Sequence, residues 1–245
     1  MKSLIMVVFV AISLLTNYNS YPQLMLISQV NVENNQQITI VDKIYKGTKD
    51  YLNLDIIIPE IHGLSDSKKE DEINEKIVND TKKRMDEVIS IGEEYYENAP
   101  KPSIPYQLFV RYSISNLEGV VSFYIDYYQF TGGAHGMTEK VAYNIDTNTS
   151  NELILKDLFI ENYNYEEIID KEIEKQIAKN SNFYFTGKDG FQGIKKNQEF
   201  YIEDGEIVIY FPLYEIAPYA TGISKFKIPN KLFKKSNIEV QGWYS

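Results

Sequence analysis

No cysteine occurs among the 245 residues. That excludes disulfides, thiolate-ligated zinc, thiol catalysis and acylation of an N-terminal cysteine. Histidine is almost as scarce, with only His62 and His135. Two imidazoles fall short of a zinc centre, so neither a metal nor a cofactor is expected. Positive charge is the third shortage: 25 Lys and Arg stand against 35 Asp and Glu, a net charge of -10. Such a surface repels phosphate backbones and anionic lipid, which argues against nucleic acid and favours a cationic partner.

The N-terminus carries a short n-region, Met1-Lys2-Ser3, and an uncharged apolar run over residues 4–15. That run is too short to span a bilayer comfortably, and residues 1–20 read as a signal peptide or signal anchor. No A-x-A arrangement lies near Ser20, so cleavage stays open, and membrane contact is expected only through an uncleaved leader. The expected location is outside the cell or in its envelope.

Hydrophobic residues make up 43% of the chain, including 20 Tyr and 12 Phe, enough for a substantial core rich in sheet. Residues 37–46 and 51–58 predict two strands joined around Gly47-Thr48-Lys49-Asp50, with Pro59 ending the second. Ile73, Ile77, Met85, Val88, Ile89 and Tyr96 recur at helical spacing among charged residues, predicting one amphipathic helix over residues 68–96. Three prolines between 100 and 105 break it. Residues 106–115, 120–130 and 140–146 predict an antiparallel meander, and residues 166–179 a second amphipathic helix. Asp204-Gly205 between two apolar runs is a strong hairpin signal, followed by a last strand near 223–228. The fold class is α+β: antiparallel sheets, a long amphipathic helix in the N-terminal half and a second helix in the C-terminal half.

One segment stands out. Thr131-Gly132-Gly133-Ala134-His135-Gly136 places an imidazole directly after a double-glycine turn that follows an aromatic strand. Thr131, Thr138 and Glu139 are its neighbours, but no G-x-S-x-G or H-E-x-x-H pattern accompanies them. His135 is expected to hydrogen-bond loop backbone, with a catalytic general base as the alternative. The run of oxygen donors from Asp146 to Asn151 lacks the Gly and Glu of a calcium loop and reads as a turn. Tyr214 and Tyr219 flank Ala217-Pro218 in an irregular segment, where exposed function concentrates.

Together, Gly132-Gly133-Ala134-His135, Leu153-Ile154-Leu155-Lys156-Asp157-Leu158-Phe159 and Tyr214-Glu215-Ile216-Ala217-Pro218-Tyr219-Ala220-Thr221-Gly222 resemble the PdaC/RsiV-like family of exported bacterial domains. The resemblance implies residues 37–105 as a PdaC-like N-terminal region and 106–235 as a C-terminal domain. Relatives include the extracellular part of a lysozyme-sensing anti-sigma factor and an accessory domain of a peptidoglycan deacetylase. Only three residues precede the apolar run and no deacetylase domain is legible, so neither parent activity is expected whole. What the resemblance implies is an exported, non-catalytic binding module for a cationic wall-acting protein such as lysozyme, or for peptidoglycan. Tyr128, His135, Tyr214, Glu215 and Tyr219 are the expected binding residues. The alternative is a cell-wall hydrolase or deacetylase using His135.

Overall fold

The structure is a computed structural model and describes residues 38–98, 104–240 and 242. The leader and most of the proline-rich break lie outside the described residues.

Strands β1 (Thr39–Lys49) and β2 (Leu52–His62) form an antiparallel hairpin. Two expectations shift here. Gly47 pairs with Leu54 inside the ladder, so the turn falls at Asp50 and Tyr51. Pro59 does not end β2 but sits opposite Asp42. The neighbour on the other side of β2 is paired only as far as Ile56, so at Pro59 the strand has one partner and tolerates a residue without an N–H.

Gly63, at φ 92, turns the chain into helix α1 (Ser67–Asn98). The Asp66 carboxylate accepts from the backbone N–H of Lys68 at 3.0 Å and Lys69 at 3.3 Å, capping the free donors of the first turn. Asn74 clasps the Ile61 backbone in both directions, at 2.9 and 2.8 Å, fixing the helix against the end of β2. Ile73, Ile77 and Val88 are buried beneath it, and Thr81 reaches the hydroxyl of Tyr127 at 3.1 Å.

Strands β3 (Tyr106–Asn116), β4 (Val120–Phe130) and β5 (Met137–Asp146) form the expected meander. It joins the first hairpin by a parallel pairing, Leu52 with Tyr106 through Ile56 with Val110, giving one sheet in the order β1-β2-β3-β4-β5. In the apolar run Ile56-Ile57-Ile58, Ile56 and Ile58 are fully buried in the core cluster shared with Ile73, Ile77 and Val88 of α1. Residue 105 lies between α1 and the third strand of a sheet to which both halves of the chain contribute.

Helix α2 (Tyr165–Lys179) packs on a second, antiparallel sheet of β6 (Phe200–Glu203), β7 (Glu206–Phe211) and β8 (Ser224–Ile228). Asp204 and Gly205 turn between β6 and β7 with φ of 50 and 72, the positive values a tight hairpin needs. A polar clasp joins the two sheets. Buried Ser122 accepts from the N–H of Ile202 at 2.8 Å and donates to Asn144 at 2.7 Å, and Asn144 donates to the carbonyl of Phe200 at 2.9 Å.

Candidate functional site

The turn from β4 to β5 stands at the end of the large sheet opposite Thr39. Gly132 and Gly133 take φ of 99 and 88, where side chains are strained, and the chain then doubles back over Tyr128. At Gly136 it passes so close that a Cβ would lie 2.5 Å from that ring. Tyr128 in turn stacks on Phe109 of β3, centroids 5.9 Å apart.

His135 is held on three sides. Its Nδ1 lies 3.0 Å from the carbonyl oxygen of Gly136, which can only accept, so Nδ1 carries the proton. Its ring stacks on Tyr219 at 3.8 Å with 19° between planes. Its Nε2, an acceptor in this tautomer, faces the Tyr214 hydroxyl at 3.4 Å. The Tyr219 hydroxyl donates to the same Gly136 carbonyl at 2.9 Å.

Tyr214 completes the arrangement, its ring 5.8 Å from that of Tyr219. It is 49% exposed and has φ 68, a left-handed conformation rarely taken by a bulky residue. Pro212 begins the turn, its carbonyl accepting from the N–H of Glu215 at 3.2 Å. Beyond Tyr214 opens a depression of about 570 Å³ lined by Phe185, Phe191, Phe211 and Lys188 among others.

Four of the five expected binding residues, Tyr128, His135, Tyr214 and Tyr219, thus form one cluster. Glu215 is their neighbour in the chain, but its carboxylate pairs with Lys195 at 2.6 Å. Glu139, a candidate partner for His135, is engaged by Arg84 of α1 at 2.7 Å. The second histidine, His62, lies at the far end of β2 near Glu60 and Glu70. Among the described residues no group of three or more His, Asp or Glu could hold a metal ion. Sequence reasoning missed Phe109 and the Gly136 carbonyl. The glycine after His135 was the available signal, since only a residue without a side chain fits over Tyr128.

Residues 45–138 match the family model described as deacetylase PdaC, and residues 156–231 match a family of proteins of unknown function, DUF3298. Over 207 residues the chain is 28% identical to the anti-sigma-V factor RsiV of Bacillus subtilis (strain 168), covering 75% of this chain and 65% of that relative. Two solved DUF3298 structures share the fold. One, from Bacteroides fragilis NCTC 9343, has a TM-score of 0.55 at 19% identity and covers 89% of this chain and 93% of its own. The other, from Pseudomonas aeruginosa PAO1, has a TM-score of 0.53 at 16% identity and covers 90% and 95%. A PdaC-type segment is thus followed by a DUF3298 segment, and with the similarity to RsiV this supports a PdaC/RsiV-like family.

Proposed function

We propose that the protein is an exported, non-catalytic binding module of the cell envelope, whose exposed Tyr214 is the anchor for a cationic wall-acting protein of the lysozyme type. The observation that carries this reading is the conformation of Tyr214. A large aromatic residue kept at positive φ and half in solvent costs about 1–3 kcal/mol of backbone strain, and strain of this kind concentrates at ligand clamps and binding sites. An aromatic side chain held rigid before it binds loses little entropy on contact, the usual property of an interface hot spot. Similarity to RsiV and the acidic charge support the choice of partner.

Calorimetric titration with hen egg-white lysozyme at moderate salt tests it. Binding by the wild type, weakened at least tenfold in Tyr214→Ala, is the expected result. No heat at high micromolar protein removes the lysozyme version, and retention on purified peptidoglycan then becomes the measurement for the glycan alternative.

A hydrolase or deacetylase reading is less well supported. Among the described residues the hydrogen-bond partners of His135 are a carbonyl and a tyrosine hydroxyl, not the carboxylate that orients a general base. Mass spectrometry of the mature N-terminus tests export and leader cleavage.

A further inference from the structure

Of the nine large hydrophobic residues exposed among those described, four fall between positions 91 and 104: Ile91 at 41%, Tyr95 at 42%, Tyr96 at 45% and Ile104 at 52%. Residues scattered singly need no explanation, whereas a contiguous apolar group does. The two tyrosines are held in place. Tyr96 packs on Tyr51 with ring centroids 4.8 Å apart, and Tyr95 meets Tyr106 edge-on at 5.7 Å. Gly92 is the reason the rings sit so close, since a Cβ there would lie 3.0 Å from Tyr51 and 3.2 Å from Tyr106.

Acidic residues outnumber basic ones on the last turns of α1 around this group. Glu87, Glu93, Glu94 and Glu97 are exposed along the last turns of α1, and no basic residue occupies the final turn. Carboxylates at a helix C-terminus add to the negative end of the macrodipole, an arrangement unfavourable for the isolated helix. Lys49 offsets part of it by pairing with Glu93 at 3.3 Å. Exposed tyrosines beside surplus negative charge complement a basic protein surface with apolar contacts between its lysines or arginines.

The group lies at the same end of the large sheet as the turn that leads to His135 and Tyr214. A Cβ on Gly132 would come within 3.8 Å of the Tyr106 ring, so the turn carrying His135 begins where the Tyr95–Tyr106 contact ends. We infer that the C-terminal end of α1, through Tyr95, Tyr96 and its glutamates, is the second half of a bipartite interface for the same cationic protein partner. This inference rests on the binding reading given for Tyr214. In it, Tyr214 supplies the anchor and the α1 end supplies apolar area and attraction.

The experiment compares three variants by surface-measured kinetics with hen egg-white lysozyme over a series of salt concentrations. These are Tyr214→Ala, the pair Tyr95→Ala and Tyr96→Ala, and the pair Glu87→Lys and Glu97→Lys. Far-UV circular dichroism confirms that α1 stays folded. The tyrosine pair is expected to raise Kd about tenfold through faster dissociation. The charge reversal is expected to slow association about fivefold at low salt and to flatten its salt dependence. If Tyr214→Ala loses binding while both α1 variants match the wild type, the second half is refuted and the anchor stands. If the wild type itself does not bind, both fall. Should an α1 variant unfold, the single substitutions Tyr95→Ser and Tyr96→Ser replace it, and wild-type kinetics in both still overturn the inference.

Discussion

His135 and Tyr219, 84 positions apart in sequence, stack at 3.8 Å and converge on one acceptor, the carbonyl of Gly136. The imidazole reaches it through Nδ1 and the phenol through its hydroxyl. This joint ties the β4–β5 turn of the large sheet to the segment between β7 and β8 of the small one. It also makes the position of Tyr214 depend on both sheets.

Replacing His135 by alanine removes the stack, the Nδ1 donor and the acceptor facing Tyr214. Aromatic pairs of this kind contribute about 0.5–1.5 kcal/mol and a net hydrogen bond about 1 kcal/mol. His135→Ala is therefore expected to lose roughly 1–2 kcal/mol in urea denaturation and to weaken lysozyme binding, with no change in any turnover of wall fragments. A loss of turnover would instead support the hydrolase alternative.

Gly136→Ala is expected to act through Tyr128. The added Cβ, 2.5 Å from the ring, forces the phenol off Phe109 or moves the turn. Overpacking of this kind costs about 1–3 kcal/mol. Thermal unfolding should show it, and the double variant Gly136→Ala with Tyr128→Ala should recover part of the loss.

At position 214, glycine and alanine should separate strain from contact. Both remove the ring, but only glycine accepts φ 68 without penalty. Tyr214→Gly is expected to be about 1 kcal/mol more stable than Tyr214→Ala while binding equally poorly. Equal stabilities would refute the strain.

Between the sheets, Ser122→Ala leaves the N–H of Ile202 and the side chain of Asn144 short of a partner in a buried setting. Each such group costs about 1–3 kcal/mol. The expected outcome is a clear fall in the denaturation midpoint.

The pH dependence has a defined sign. Burial pushes the Lys140 ammonium down from 10.5 to about 8, despite its pairing with Asp126 at 2.7 Å, and nearby Lys225 adds to the effect. Between about pH 8 and 10.5 the unfolded chain therefore holds a proton that the folded chain has released, and stability rises with pH, by about 1–3 kcal/mol in all. Burial also raises the hydroxyls of Tyr143, Tyr201 and Tyr210 above their ordinary 10.0, so above that value the unfolded chain ionises first and stability falls. Urea midpoints should pass through a maximum near pH 9–10, and Lys140→Met should flatten the rising limb while leaving the fall.

Much of this architecture was legible in particular residues. The apolar stripe Ile73, Ile77, Val88 specified α1, and Asp204-Gly205 specified the β6–β7 hairpin. The double glycine before His135 marked a left-handed turn. Pro59 misled because proline forbids only a ladder bond that is needed, and at that point β2 has a single neighbour. Glu215 follows Tyr214 in the chain, and its carboxylate pairs with Lys195 on the lining of the same depression, a partner that sequence order does not reveal.

Sequence by itself determined the elements, because helical stripes, strand alternation and turn chemistry act over a few neighbouring residues. The family resemblance was legible too, carried by the turn motifs. Tertiary structure alone decided the parallel pairing of β2 with β3 and the meeting of His135 with Tyr214 and Tyr219. Contacts between residues some 80 positions apart leave no periodic trace. They depend on the packing of Tyr201, Val208 and Tyr210 against Tyr124 and on the Ser122–Asn144 clasp, which fix one sheet upon the other.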